Sequence, residues 1–279
     1  MSRALLSMYV LWLQRVAQWC AARGWHDTAI GLFHSCLGWM QRDGDPKGEG
    51  IMHHNLGLAH QMKSDVRGAM VHYTRALSLE ERAGDHAHLA QTLLALGKCH
   101  RELVDYDKAR ACFARAYLFA IQAEFPAAQA ASCQFAAELA EHESDWSTAL
   151  DQWGRLARIG LQHEQPRMAA LAANQRARLH LILDAPDEAR QEADGAREIA
   201  ETIHDSYNLG LASATLGELA MLEQSWSKAL ELLTKAEKLL ARQVSDDAAY
   251  RIHRGLAKVH QALGNEAEAR RYYEAIEVR

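Results

Sequence analysis

Counting in steps of forty from Ala109 lands on alanine every time: Ala29, Ala69, Ala109, Ala149, Ala189, Ala229 and Ala269. Alanine is only about one residue in six, so chance does not write that row. A second row, twelve residues earlier, reads Ala17, Gly57, Gly97, Ala137, Ala177, Gly217 and Ala257, and every member is tiny. A third, four residues after the alanine, reads Phe33, Tyr73, Phe113, Trp153, Ala193, Leu233 and Tyr273, and is mostly large and apolar. No insertion breaks the register. A period of this length confines the chain to units that bury their apolar faces on their neighbours.

The unit itself is helical. The chain has only 4 prolines and 17 glycines in 279 residues, and abundant alanine and leucine favour helix over strand. The two small rows then mark where paired helices A and B approach, because bulk on either would hold them apart, with the large residue beside the contact. Breakers fall in phase. Pro46, Pro126 and Pro166 share one position, and Asp45, Asp85 and Asp205 hold the position before it. A cap followed by a first-turn proline starts helix A. Pro186 stands where helix B begins, and Gly24 and Gly264 where helix A ends. The expected fold is all-α, a single solenoid over 1–279 of seven helical hairpins. The repeats run approximately over 2–44, 45–84, 85–124, 125–164, 165–204, 205–244 and 245–279.

The segments "NLGLAHQMKSDVRGAMVHYTRAL" (Asn55 to Leu77) and "ALGKCHRELVDYDKARACFARAY" (Ala95 to Tyr117) carry Leu-Gly, then Ala, a large apolar residue and Ala again. This pattern resembles the tetratricopeptide repeat, in the forty-residue form of kinesin light chains and bacterial peptide-sensing regulators. It is strongest in repeats two, three and six, and departs in repeat five, where Arg176 and Ala193 replace bulky residues. The resemblance implies a right-handed α-α superhelix whose A helices line a concave groove. It implies a non-catalytic scaffold or adaptor that holds a peptide or helical segment of a protein partner. A ligand- or peptide-responsive regulatory module is the alternative.

On that geometry the residue after each small A-helix position points into the groove: Gln18, Leu58, Lys98, Glu138, Arg178, Glu218 and Lys258. The last five alternate in sign, so they read either as a ladder of inter-repeat ion pairs or as a track for an extended peptide. Exposed rungs contribute only about 0.2–1 kcal/mol each. Arg251 and Arg254 join Lys258 at spacings of three and four, which puts three cations on one helical face. An acidic peptide or a terminal carboxylate suits that face. Asn55 matches an asparagine that related repeats set against ligand backbone, and Arg101 and Asn174 complete the expected groove set.

Repeat one differs. Trp19 stands at the phase that packs on a preceding repeat, and Leu5, Met8 and Trp12 share its face. An uncovered tryptophan presents ~150–250 Å² of surface, so this face is expected to dock a partner or a second copy, forming a homo-oligomer through repeat one. At the other end the phase held by Trp39, Leu79, Phe119, Ile159, Ile199 and Leu239 becomes Arg279, beside Glu277, a polar finish.

The remaining features exclude more than they assign. No HExxH, GxSxG, GxGxxG or P-loop occurs, so neither catalysis nor a cofactor is expected. His60, His100, His180 and His260 sit at least one repeat apart and cannot converge on one ion at ~2 Å, so no metal is expected. A net charge of −5 offers nucleic acid no general attraction. The start "MSRALLSMYVLWLQ" is like a weak signal peptide but keeps the repeat's phase and is too short for a membrane span. Five cysteines without metal-site spacing favour a reducing cytoplasm.

Overall fold

The computed structural model describes the backbone of residues 3–241 and 246–277, and the side chains of residues 8–241 and 247–276. Among them all regular structure is helical. The helices are α1 (Arg3–Ala22), α2 (His26–Asp43), α3 (Pro46–Met62), α4 (Val66–Ala83), α5 (His86–Glu102), α6 (Tyr106–Gln122) and α7 (Pro126–His142). They continue as α8 (Trp146–Gln162), α9 (Pro166–Ile182), α10 (Pro186–Thr202), α11 (Ser206–Leu222), α12 (Trp226–Leu240), α13 (Asp246–Ala262) and α14 (Glu266–Glu277). Odd-numbered helices are the A helices and even-numbered ones the B helices, seven pairs in sequence. The expected polar finish at Glu277 and Arg279 lies outside the described side chains.

Local chemistry sets the boundaries. Prolines open α3, α7, α9 and α10, where the missing N–H costs nothing. The carboxylates of Asp45, Asp65, Asp85 and Asp145 each accept a backbone N–H three residues on, at 3.0, 2.9, 3.3 and 3.1 Å. Such a cap contributes about 1 kcal/mol. The stops are more regular still. Every twentieth residue from 24 to 264, apart from 244 outside the described residues, has positive φ. In the turns after α3 and α5, Asp65 N–H reaches His60 C=O at 2.9 Å and Asp105 N–H reaches His100 C=O at 2.9 Å. These six-to-one bonds close Schellman turns.

The chain forms two compact units, residues 1–143 and 144–279. In the first, α3 packs on α5 and α5 on α7, while each of α2, α4 and α6 packs on the A helices on either side of it. In the second, α9 packs on α11 and α11 on α13 in the same way. Within each unit these A helices are thus neighbours: α3, α5 and α7 in the first, α9, α11 and α13 in the second.

The small row does its work differently from the expected small-on-small crossing. A Cβ at Gly57 would lie 2.5 Å from the Tyr73 ring, and one at Gly97 would lie 2.5 Å from Phe113. A Cβ at Gly217 would lie 2.8 Å from Leu233. In these three repeats the large residue of helix B therefore sits on the glycine itself rather than beside it, and an added Cβ would force it to shift. Tyr73, Phe113 and Leu233 are fully buried there, as are Ala69, Ala109 and Ala229.

Candidate functional site on the A-helix faces

In the first unit the expected groove residues sort into free and engaged groups. Glu138 on α7 accepts Arg101 Nη1 from α5 at 2.8 Å and Gln134 Nε2 at 2.9 Å. Lys98 takes no part in that pair. Its ammonium lies 5.5 Å from the centre of the Phe135 ring, and the Arg101 guanidinium 5.6 Å from it. The rung between repeats three and four is thus made by Arg101, one turn further along α5 than the row predicts. Asn55 is 9% exposed, and its Nδ2 is buried without a hydrogen-bond partner among the described residues.

In the second unit Asn174 is committed to structure. Its Nδ2 donates to Asn208 C=O at 3.0 Å and to Asn208 Oδ1 at 3.2 Å. Asn208 in turn donates to Asp205, the α11 cap, which also accepts Arg167 Nε at 2.7 Å. The Arg167 guanidinium and the Asn208 hydrogen bonds hold the Asp205 carboxyl below its usual range against the opposing effect of burial. Arg178 donates from Nε to Gln175 on its own helix at 3.1 Å.

The remaining four residues meet in one place. Glu218 of α11 and Arg251, Arg254 and Lys258 of α13 line a pocket of about 340 Å³. Leu181 of α9 with Met221 and Leu222 of α11 supply its apolar wall. Arg251 Nε and Nη2 donate to the two oxygens of Glu218, both at 3.0 Å, a bidentate pair. Arg254 and Lys258 are exposed and have no ion-pair partner among the described residues. Here too the row mispairs: Glu218 takes Arg251, two turns before Lys258. Three A helices, one from each of three consecutive repeats, build this pocket.

At the start of the chain Met8, Trp12 and Trp19 are 67%, 58% and 48% exposed; Leu5 lies outside the described side chains. Tyr9 stacks beside Trp12, and Trp19 is partly covered by the edge of Trp25 and by the Arg23 guanidinium 4.7 Å away.

Two members of the histidine row, His60 and His100, address the turns. His60 Nδ1 lies 2.9 Å from Asp65 and His100 Nδ1 3.7 Å from Asp105, each addressing the residue before the next helix. The row missed a different grouping. His53 and His72 bring their Nδ1 atoms to 3.1 Å, with His34 and His60 rings against His72. Burial and then the neighbouring imidazoles push His72 down to about 4. No three or more His, Cys, Asp or Glu side chains are placed to hold a metal ion among the described residues. No helix among them is long and apolar enough to cross a membrane.

Residues 50–118 match the tetratricopeptide repeat family model. A search of the curated proteins finds no match. Solved structures share the fold over far more of the chain. The apo form of RapI superposes with a TM-score of 0.80 at 14% identity, covering 100% of this chain and 77% of that one. A signal transduction ATPase with a tetratricopeptide repeat sensor, from Pyrococcus horikoshii, gives 0.79 at 11% identity over 95% of this chain and 41% of its own. The apo quorum sensor NprR from B. thuringiensis gives 0.65 at 15% identity, over 96% and 75%.

Proposed function

We propose that this chain, which carries tetratricopeptide repeats at residues 50–118 and the fold of that repeat throughout, is a non-catalytic interaction module. It holds a peptide or helical segment of a protein partner against its A-helix faces. One observation carries this reading: the pocket of α9, α11 and α13, lined by two exposed cations without an ion-pair partner among the described residues. Structural ion pairs engage Arg101, Glu138 and Arg251, whereas Arg254 and Lys258 have no ion-pair partner among the described residues. The five free, buried cysteines support a reducing, cytoplasmic setting.

Affinity capture with the wild-type chain and with Arg251→Glu/Arg254→Glu, followed by mass spectrometry, tests it. The expected result is loss of a specific partner from the variant. An identical set of captured proteins overturns the assignment of this face.

A second reading is favoured by the neighbours. NprR is named a quorum sensor and the Pyrococcus protein carries a repeat sensor, so a ligand-responsive regulatory module fits the same fold. A short bound peptide that compacts the chain in small-angle scattering supports the regulator. Unchanged scattering from the chain with a large protein captured supports the scaffold.

A further inference from the structure

The α9–α11–α13 pocket holds three cations and one carboxylate, a net of two positive charges. Its wall on one side is Leu181, Met221 and Leu222, with Leu222 65% exposed. An anion without an apolar part would leave that wall wet, and an apolar group without charge would leave Arg254 and Lys258 unmatched. The lining therefore fits a ligand that joins the two, and methionine lets the wall adapt to its shape.

Arg251 decides how the anion is received. A guanidinium binds a carboxylate best through its Nε–Nη edge, which makes two parallel hydrogen bonds. In this structure that edge is taken by Glu218, with both contacts at 3.0 Å. The side chains of Arg251 and Glu218 are 21% and 25% exposed. Both reach the surface, so the pair can open without unfolding the helices.

We propose that the pocket binds a carboxylate carried on an apolar body, and that Glu218 is its internal competitor, holding on Arg251 the position an entering carboxylate takes. The proposal rests on the reading of this face as the binding surface. Arg254 and Lys258, three and seven residues after Arg251, draw the anion in. Exchange of one carboxylate for another at Arg251 then seats it, while the apolar body lies along Leu181, Met221 and Leu222. Removing the Glu218 charge at constant size strengthens binding. A Glu218 that merely orients Arg251 has the opposite signature, because its loss would weaken binding.

Fluorescence anisotropy on the full chain with three labelled tetrapeptides tests this. They are Ala-Ala-Leu-Leu with a free carboxylate, the same peptide amidated, and amidated Ala-Glu-Leu-Leu. The free acid is expected to bind, about tenfold more tightly to Glu218→Gln than to wild type, and not to Arg254→Gln/Lys258→Gln. Binding by the acid alone identifies a chain terminus as the source of the carboxylate; equal binding by the internal glutamate identifies any carboxylate. Unchanged or weaker binding to a folded Glu218→Gln overturns the proposal. So does equal binding of amidated Ala-Ala-Leu-Leu, or no binding by any of the three.

The two readings fail separately. If Arg251→Glu/Arg254→Glu loses its captured partner while Glu218→Gln loses it too, the face is right and the role of Glu218 is wrong. If the peptides respond as expected but the captured proteins do not change, the pocket's chemistry stands without the proposed function.

Discussion

A carboxyl group that is only 2% exposed must be paired or protonated, and Glu80 at the end of α4 has no cationic partner among the described residues. Its Oε1 accepts the Thr92 hydroxyl from α5 at 3.0 Å, and Oε2 is buried without a partner among the described residues. Thr92 Oγ1 lies 2.8 Å from His54 Nδ1 on α3, so the three residues form one buried chain. Burial pushes Glu80 up to about 7, with Asp85 adding to the shift and the Thr92 hydrogen bond opposing it. Burial pushes His54 down to about 4, helped by His88 and Lys98. The signs oppose. A raised carboxyl contributes stability that is present below its ordinary value of 4.5 and lost as pH rises through about 7. His54 and His72 contribute stability present above 6.5 and lost as pH falls through about 4. Comparing Glu80→Gln with wild type cancels the histidine terms. The variant's urea-unfolding free energy is expected to gain on wild type between pH 4.5 and 7, by on the order of 3 kcal/mol, and to gain no more above. A constant difference across that range means Glu80 ionises as freely folded as unfolded. The signal was legible: its row reads Met40, Glu80, Ala120, Gly160, Ala200 and Leu240, one charge among apolar residues.

Helices end here by count rather than by composition. Gly24, Gly44, Gly84 and Gly264 take the left-handed conformation that glycine adopts freely, but Ser64, Val104, Glu124 and five more residues adopt it as well. Only the glycine at the end of helix A marked these stops in the sequence. The eight non-glycine stops are invisible to propensity, because packing of both flanking helices in fixed register forces the turn whatever residue occupies it. Asp45, Asp85 and the first-turn prolines, by contrast, announced the helix starts directly. Val104 bears the conflict most sharply. It has φ +62, is β-branched, and is 66% exposed, so its side chain returns little for the strain. The left-handed conformation costs an L-residue roughly 1–2 kcal/mol, partly offset in a glycine variant by the entropy that glycine loses on folding. Val104→Gly is therefore expected to raise the urea midpoint, by up to about 1 kcal/mol of stability. An unchanged or lower midpoint means the turn stores no strain at this position.

Across the whole molecule, rows forty residues apart disclosed the helices, their alternation and the side each residue faces. They did not disclose partners. A row fixes the phase of Lys98 and Glu138, but Arg101 on the same helix reaches Glu138, since long side chains choose among neighbours within a turn. The five cysteines belong to what the rows did read, as small apolar residues of the helix interfaces. Cys20, Cys36, Cys99, Cys112 and Cys133 are all free and buried, none more than 9% exposed. Burial pushes the thiols of Cys36 and Cys112 up, and that of Cys99 to about 11, so little reactive thiolate forms at neutral pH. Reaction with a thiol reagent then requires a helix pair to open. Ellman's reagent is expected to find almost no thiol at once in the native chain and all five in guanidinium. The slow native phases would report local opening free energies repeat by repeat. A reductant is expected to leave the melting temperature unchanged. Two or more thiols titrating immediately at pH 7.5 would mean that the helix pairs around them are open in solution, and that the buried interfaces which define this fold are not closed there.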